Sequence, residues 1–144
     1  MNIRKCKFED ILALSELEKT CFKSEGYGYT MLASMFENAN FSILVAEDGG
    51  EIIGYGCAET VCENSDLEKV VVAEAYRKSG VGTALVNALI ENAKSRGAEK
   101  MFLEVRVSNV NALKLYLENG FSGVYARTRY YSDGEDCLVM SRNI

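Results

Sequence analysis

A strand pattern, a glycine-rich turn and a long amphipathic helix in direct succession constrain the fold more than any other feature. The apolar segment Asp66–Val72 comes first, and a helical pattern follows over Gly80–Arg96. Its apolar side is formed by Val81, Leu85, Leu89 and Ile90. Gly97 is placed to end this helix, and Lys100–Val105 again has a strand pattern. A helix that joins two strands of one sheet makes a right-handed parallel crossover in nearly all proteins, so these segments predict a parallel pair.

Two short helices are predicted upstream, between an N-terminal strand and a hairpin. Asp10 and Thr30 are N-cap residue types, and each stands before apolar residues at helical spacing. The turn tripeptide Asp48-Gly49-Gly50 separates strand patterns over Phe41–Glu47 and Glu51–Val61, which predicts a β-hairpin.

A further helix and a second hairpin are predicted downstream. Asn109 is an N-cap type before the helical pattern Val110–Asn119, and Gly120 is placed to end it. Phe121–Tyr131 and Asp136–Arg142 have strand patterns around a polar turn. The order β-α-α-β-β-β-α-β-α-β-β predicts one α/β domain over residues 1–144, with helices on two faces of the sheet.

Composition excludes several classes of protein. The net charge of −5 disfavours binding to a nucleic acid backbone. No stretch approaches the run of about 20 apolar residues that spans a bilayer, and the first ten residues lack the apolar core of a signal peptide. We therefore expect a cytoplasmic protein with no membrane partner.

Histidine and cysteine usage limits the chemistry. The chain has no histidine, so a catalytic base must be a carboxylate, thiolate, amine or phenolate. Its five cysteines include no CxxC pair and stand in mostly apolar strings, which favours buried free thiols over metal or redox roles. Nothing in the sequence calls for a metal.

The glycine-rich turn has the properties of an anion site. Arg77-Lys78-Ser79-Gly80-Val81-Gly82-Thr83-Ala84 opens the long helix, where free backbone amides and the helix dipole attract anions. The spacing matches neither GxGxxG nor GxxxxGK[ST]. It favours the pyrophosphate of another cofactor, and the alternative is a structural turn with two solvated cations.

Three segments together resemble a known family. Arg77–Ala84, Glu104–Arg106 and Asn109–Phe121 resemble the core motifs of the GNAT acetyltransferases, over a match from about Leu67 to Met140. The strings FLEVRVSNVNALKLYLENGF and RYYSDGEDCLVM are similar to protein N-terminal acetyltransferases, in particular to the type that acetylates a ribosomal-protein alanine. The resemblance implies a mixed, mostly antiparallel sheet with a central splayed parallel pair. It also implies transfer of an acetyl group from acetyl-coenzyme A to a primary amine.

The same resemblance implies a set of cofactor-binding residues. The pantetheine arm would lie in the gap of the splayed pair and pair with backbone groups of Val70, Val71 and Val72. The pyrophosphate would lie on the turn formed by Arg77, Lys78, Ser79, Gly80, Val81, Gly82 and Thr83. Asn109 and Tyr116 would lie on the pantetheine side.

Two residues match the family's catalytic positions. Glu104 matches the general base, acting through an ordered water, and Tyr116 matches the general acid beside the departing thiolate. A phenol has a reference pKa of about 10 against about 8.5 for a thiol, so tyrosine is protonated at neutral pH. The structural alternatives are a solvent-facing strand position for Glu104 and a core aromatic for Tyr116.

The acceptor side matches the family only in part. Tyr130 and Tyr131 match a tyrosine pair that borders the peptide groove, with hairpin packing as the alternative, while Phe22 and Tyr27 would form the opposite wall. The segment Lys23–Tyr29 replaces the family's proline and tryptophan, which leaves the choice of amine open. The negative charge favours a basic acceptor such as a ribosomal protein tail. A small amine, amino acid or antibiotic is the alternative acceptor, and a non-catalytic acyl-coenzyme A binding domain is the alternative function. We expect a monomer or weak dimer.

Overall fold

Seven strands form one sheet in the order β1-β2-β3-β4-β5-β7-β6 in the computed structural model, which describes residues 1–144. The strands are β1 (Asn2–Lys5), β2 (Phe41–Asp48), β3 (Glu51–Val61), β4 (Asn64–Val72), β5 (Lys100–Arg106), β6 (Ser122–Arg127) and β7 (Cys137–Asn143). The helices are α1 (Ile11–Phe22), α2 (Tyr29–Glu37), α3 (Val81–Ser95) and α4 (Val110–Glu118). None of them combines the length and the apolar character that crossing a membrane requires.

The pair β4–β5 is parallel, and every other pair is antiparallel. Pairing between β4 and β5 ends at Leu67 and Leu103, although both strands continue. At this point the register between β3 and β4 shifts, which leaves Glu68 as the extra residue of a β-bulge. The two strands therefore diverge beyond Leu67, which confirms the predicted mixed sheet with a central splayed parallel pair.

Helices cover both faces of the sheet, as predicted. The face under α3 and α4 buries Val86, Leu89, Met101, Leu103, Tyr116 and Phe121. The face under α1 and α2 buries Ile11, Leu14, Leu32, Val45 and Tyr55. Helix α3 lies very close to β3, because a Cβ atom at Gly56 would be only 2.7 Å from Leu89 Cδ1.

Of the three predicted helix caps, Asn109 is confirmed, Asp10 is confirmed in position only, and Thr30 is wrong. The Asn109 side chain accepts a hydrogen bond of 3.2 Å from the Ala112 amide and caps α4. Asp10 is the N-cap residue of α1, but its carboxylate makes no capping bond to that helix. It accepts instead from the Arg4 guanidinium at 2.8 Å, a charged and therefore stronger donor, and from the Lys7 amide at 2.7 Å. Thr30 lies inside α2, whose N-cap is Gly28.

Two further expectations need correction. Strand β6 ends at Arg127 rather than at Tyr131, because Arg129 takes a φ of +51° that extended pairing does not allow. All five cysteines are free; Cys57 and Cys137 are buried, Cys6 and Cys21 are half-buried, and Cys62 is exposed. The prediction of buried thiols is therefore wrong for Cys62, which lies in the turn between β3 and β4 at a φ of +54°.

Candidate active site

The gap between β4 and β5 exposes backbone groups of β4. Carbonyl groups of Lys69 and Val71 point toward β3, since Cβ atoms built at Gly56 and Gly54 would lie 3.3 and 2.8 Å from them. Backbone groups alternate along a strand, so those of Val70 and Val72 face the gap. The Val72 carbonyl accepts a hydrogen bond of 3.0 Å from Arg77 Nε, while the Val71 side chain is buried on the α1 face. An extended ligand that lies in the gap can thus form hydrogen bonds with the backbone of Val70.

The turn before α3 presents a row of free amides. None of the six backbone amides of residues 78–83 has a hydrogen-bond acceptor in the protein, and Gly80 supplies no side-chain cap. Lys78 and Gly80 take φ values of +61° and +90°, which curl the backbone at the helix start. A Cβ atom at Gly82 would lie 3.3 Å from Leu115, so the start of α3 packs closely on α4. Free amides, the helix dipole and an exposed lysine fit the pyrophosphate of a coenzyme.

Tyr116 lies on α4 with only 8% of its surface exposed, and its ring packs edge to face on Phe121 at 5.9 Å. Its hydroxyl makes no hydrogen bond in the protein, yet no fully buried side-chain polar atom lacks a partner, so this hydroxyl reaches accessible space. Burial raises the pKa of Tyr116 to about 12. The phenol is therefore a proton donor and stays neutral at physiological pH.

Glu104 lies on β5 just beyond the point where β4 diverges, and 42% of its side chain is exposed. One carboxylate oxygen accepts a hydrogen bond of 3.2 Å from the Tyr130 hydroxyl, and the other lies 3.3 Å from Arg127 Nε. The negative charge of Glu104 is the main cause that raises the pKa of Tyr130. The carboxylate is oriented by one hydrogen-bond donor and one ion-pair partner, and it remains open to a ligand.

A cleft of about 500 Å³ brings Glu104 together with three of the four predicted acceptor-side residues, Tyr27, Tyr130 and Tyr131. The fourth residue, Phe22, does not line this cleft. Burial raises the pKa of Tyr27 to about 12. Aromatic walls around one carboxylate suit a ligand that carries a cationic or hydrogen-bonding group.

Further carboxylates line this cleft that the sequence analysis did not single out. Asp66 and Glu68 are both in its wall, and with Glu59 their carboxylate oxygens lie within 4.8 Å of one another. Burial, and then the neighbouring carboxylates, raise the pKa values of Asp66 and Glu68. The alternation of acidic residues in the strand sequence DLE was the available signal. The resulting negative potential favours a cationic acceptor.

The tyrosine pair is held by an ion-pair network at its own turn. Arg106 Nη1 lies 2.8 Å from Asp133 and 2.9 Å from Glu135, and its guanidinium stacks on the Tyr131 ring at 4.0 Å. The Tyr130 and Tyr131 rings contact each other edge to face at 5.1 Å. Arg106 belongs to the motif recognised in the sequence, but no role was predicted for it.

A gap between diverging parallel strands, beside a helix start with free amides, is the arrangement that the resemblance to the acetyltransferases implies for coenzyme A. The chain belongs to the acetyltransferase (GNAT) family, because the model of that family matches residues 8–121. The predicted family and enzyme class are thereby confirmed, and acetyl-coenzyme A is the cosubstrate of this family.

Two named relatives and one solved structure align with most of this chain. An N-alpha-acetyltransferase of Sulfurisphaera tokodaii is 32% identical over 152 residues, covering 96% of this chain and 90% of that protein. The [ribosomal protein bS18]-alanine N-acetyltransferase of Escherichia coli K12 is 31% identical over 127 residues, covering 86% and 78%. The crystal structure of the ribosomal-protein-S18-alanine N-acetyltransferase from Escherichia coli superposes with a TM-score of 0.89 at 27% identity, covering 99% and 93%.

Proposed function

We propose that this enzyme acetylates the N-terminal α-amine of a protein, such as a ribosomal protein, with Glu104 as general base and Tyr116 as general acid. The observation that carries the proposal is the cleft in which Glu104 stands among Tyr27, Tyr130 and Tyr131, next to the gap between β4 and β5. The relatives named for N-alpha and ribosomal-protein alanine acetylation support the same acceptor.

The free energy needed to deprotonate the acceptor differs between an α-amine and a lysine amine, although enzymes meet either cost. An α-amino group titrates near 7.7 to 8.0, so its neutralisation at pH 7 costs about 1 kcal/mol, whereas a lysine amine near 10.4 costs about 4 to 5 kcal/mol. For an α-amine, Glu104, whose side chain is 42% exposed, would need to meet only the smaller of these two costs. The acidic wall of Asp66 and Glu68 would attract the ammonium form before it loses its proton.

Glu104 is proposed to take the proton of the amine through an ordered water. Its two contacts, from Tyr130 and Arg127, would fix the direction of the free lone pairs toward the cleft. Arg127 also places a positive charge beside the carboxylate, at 3.3 Å.

Tyr116 is proposed to donate a proton to the departing thiolate of coenzyme A. Acetyl-coenzyme A supplies the thioester that the amine attacks. Since burial holds the pKa of Tyr116 at about 12, the phenol is fully protonated and can donate a hydrogen bond to the leaving sulfur. Burial raises the basicity of a thiolate for the same reason, so the pKa values of the acid and of the leaving group shift in the same direction.

Cosubstrate binding would use the backbone. The amides of residues 78–83 would hold the pyrophosphate, with Arg77 and Lys78 beside them, and the backbone of Val70 would pair with the pantetheine arm. Asn109 would act mainly by fixing the first turn of α4, which carries Tyr116. The cytoplasmic location and the monomeric or weakly dimeric state stay predictions.

The test is release of free thiol from acetyl-coenzyme A in the presence of basic peptides that begin with Ala or Ser, lysine peptides with a blocked N-terminus, and small amines. Turnover of the Ala or Ser peptides that is lost in Glu104→Gln supports the proposal. Turnover of small amines alone would replace the protein acceptor with a small molecule. Binding of acetyl-coenzyme A without turnover of any amine would favour a non-catalytic binding domain.

A further inference from the structure

A completely buried carboxylate lies behind the acceptor wall. Glu18, on α1, has no exposed surface, and it accepts hydrogen bonds from Lys69 Nζ at 2.6 Å, the Tyr27 amide at 2.7 Å and the Tyr55 hydroxyl at 3.1 Å. A buried charge is tolerated only when it is paired and hydrogen-bonded, and this carboxylate has both kinds of partner. Three separate segments of the chain therefore converge on one side chain.

The cation of this ion pair lies between two aromatic rings. Lys69 Nζ is 4.0 Å from the centre of the Phe22 ring and 3.8 Å from the centre of the Tyr27 ring. Only 16% of the Lys69 side chain is exposed, so these cation–π contacts are largely desolvated and correspondingly strong. Lys69 follows Glu68, the bulge residue at which β4 leaves β5. The rings are thus tied to the strand that borders the gap.

The segment between α1 and α2 has little regular structure. It contains a single 3₁₀ turn over Lys23–Glu25, with Lys23 at a φ of +54°, and it lacks a proline. Gly26 packs on the Glu18 backbone, where a Cβ atom would lie 2.8 Å from the carbonyl oxygen. Tyr27 therefore takes its position from Glu18 and Lys69 together with its packing on the apolar core under α1, whereas Phe22 is the last residue of α1 itself.

We infer that Glu18 and Lys69 are positioning residues for the acceptor, because they hold Tyr27 at a fixed place relative to the bulge in β4. The inference rests on the proposed function and adds residues that determine how the acceptor binds. Tyr27 lines the cleft, whereas neither Glu18 nor Lys69 does, so the pair acts through Tyr27. Loss of the pair should weaken acceptor binding and leave both the chemical step and cosubstrate binding intact.

The experiment compares steady-state kinetics of the parent enzyme, Lys69→Met and Lys69→Arg on one Ala-initiated peptide. Lys69→Met keeps the length of the side chain but removes its charge, and the acceptor KM should rise about tenfold as Tyr27 loses its fixed position in the cleft wall. The kcat and the KM for acetyl-coenzyme A should stay within about twofold. Lys69→Arg retains the cation and should recover most of the acceptor affinity.

Two controls separate positioning from loss of structure. Lys94→Met removes a lysine from an exposed ion pair with Glu91 on α3 and should change none of these constants. The double variant Glu18→Gln/Lys69→Met leaves no unpaired buried charge, so it should fold even where Lys69→Met does not, and its acceptor KM should also rise.

An acceptor KM that stays at the parental value in folded Lys69→Met or in the double variant would overturn the inference, as would an equal rise in the KM for acetyl-coenzyme A. A parent enzyme that turns over no peptide would refute the proposed function and, with it, this inference. The two failures are distinguishable, because only the first occurs on a background of parental peptide turnover.

Discussion

The Tyr130 hydroxyl donates a hydrogen bond of 3.2 Å to Glu104. It thereby links the turn before β7 to β5, just beyond the point where β5 stops pairing with β4. Arg127 holds the second carboxylate oxygen at 3.3 Å. The proposed base and one wall of the acceptor cleft are therefore a single connected unit, and a change in either is expected to affect the other.

Glu104→Gln tests the proposed base. The amide cannot accept the proton of the amine, so kcat/KM for an Ala-initiated peptide should fall at least about 100-fold, the lower bound for loss of a general base. The dissociation constant of acetyl-coenzyme A, measured by calorimetry, should not change. Glu91→Gln on the exposed face of α3 is the matched control and should behave like the parent.

The activity of Glu104→Gln should also depend on pH. The α-amine becomes neutral without help above about pH 8, so the activity lost in Glu104→Gln should be partly regained at about pH 9 to 10. A variant that keeps more than about a tenth of the parental kcat/KM at pH 7 would exclude Glu104 as the base.

Tyr116→Phe tests the proposed acid. The kcat should fall about 100-fold, because the leaving sulfur loses its donor. The thermal midpoint should hardly move, since the hydroxyl has no partner in the protein and the phenylalanine ring keeps its packing on Phe121. Because burial raises the pKa of Tyr116 to about 12, the parental kcat should show no decline from this group below about pH 10. A Tyr116→Phe enzyme with parental kcat would remove Tyr116 from the mechanism.

Gly80→Ala tests the anion site. No atom lies within 4 Å of a Cβ atom at Gly80, so alanine adds only the strain of a φ of +90°, and affinity for acetyl-coenzyme A should fall about tenfold as the turn rearranges. S-acetylpantetheine lacks the pyrophosphate, and its binding should be unaffected.

Gly97→Ala is the control for this strain. Gly97 has a φ of +94° in open space at the far end of α3, so alanine there should lower stability by a similar amount and leave acetyl-coenzyme A affinity unchanged. Equal losses of affinity in the two variants, or an equal loss for S-acetylpantetheine with Gly80→Ala, would contradict a pyrophosphate site at residues 78–83.

Asn109→Ala tests the cap that fixes α4. Removal of the side-chain acceptor from the Ala112 amide should cost about 1 kcal/mol, which corresponds to a loss of about 2 to 4 °C in the thermal midpoint of a chain of this size. Asn109→Ser restores an oxygen acceptor and should recover most of that loss. If Asn109→Ala melted at the parental temperature, the cap would have no energetic role.

Local sequence patterns predicted the parts of the fold whose stabilising contacts are close in the chain. The Asp48-Gly49-Gly50 turn, the Asn109 cap and the glycine that ends α3 depend on neighbours within a few residues, and all three are present. The predicted capping bond of Asp10 is absent because Arg4, on β1, binds the Asp10 carboxylate. Neither composition nor residue spacing predicts this contact.

The candidate site likewise contains residues that a local motif predicts and contacts that depend on distant parts of the chain. Glu104 and Tyr116 lie in motifs that a sequence can carry, whereas the contact between Glu18 and Lys69 joins residues 51 positions apart. The acidic wall of Asp66 and Glu68 arises from a bulge that depends on pairing with β3, so its geometry could not be read from β4 alone.

Peptide mass spectrometry tests the central claim most directly, by locating the acetyl group on a basic peptide that has a free N-terminal alanine and an internal lysine. The account predicts acetylation of the α-amine alone, and no product when that amine is blocked beforehand. Acetyl transfer to the lysine side chain, or equal modification of the blocked peptide, would contradict an N-terminal acetyltransferase.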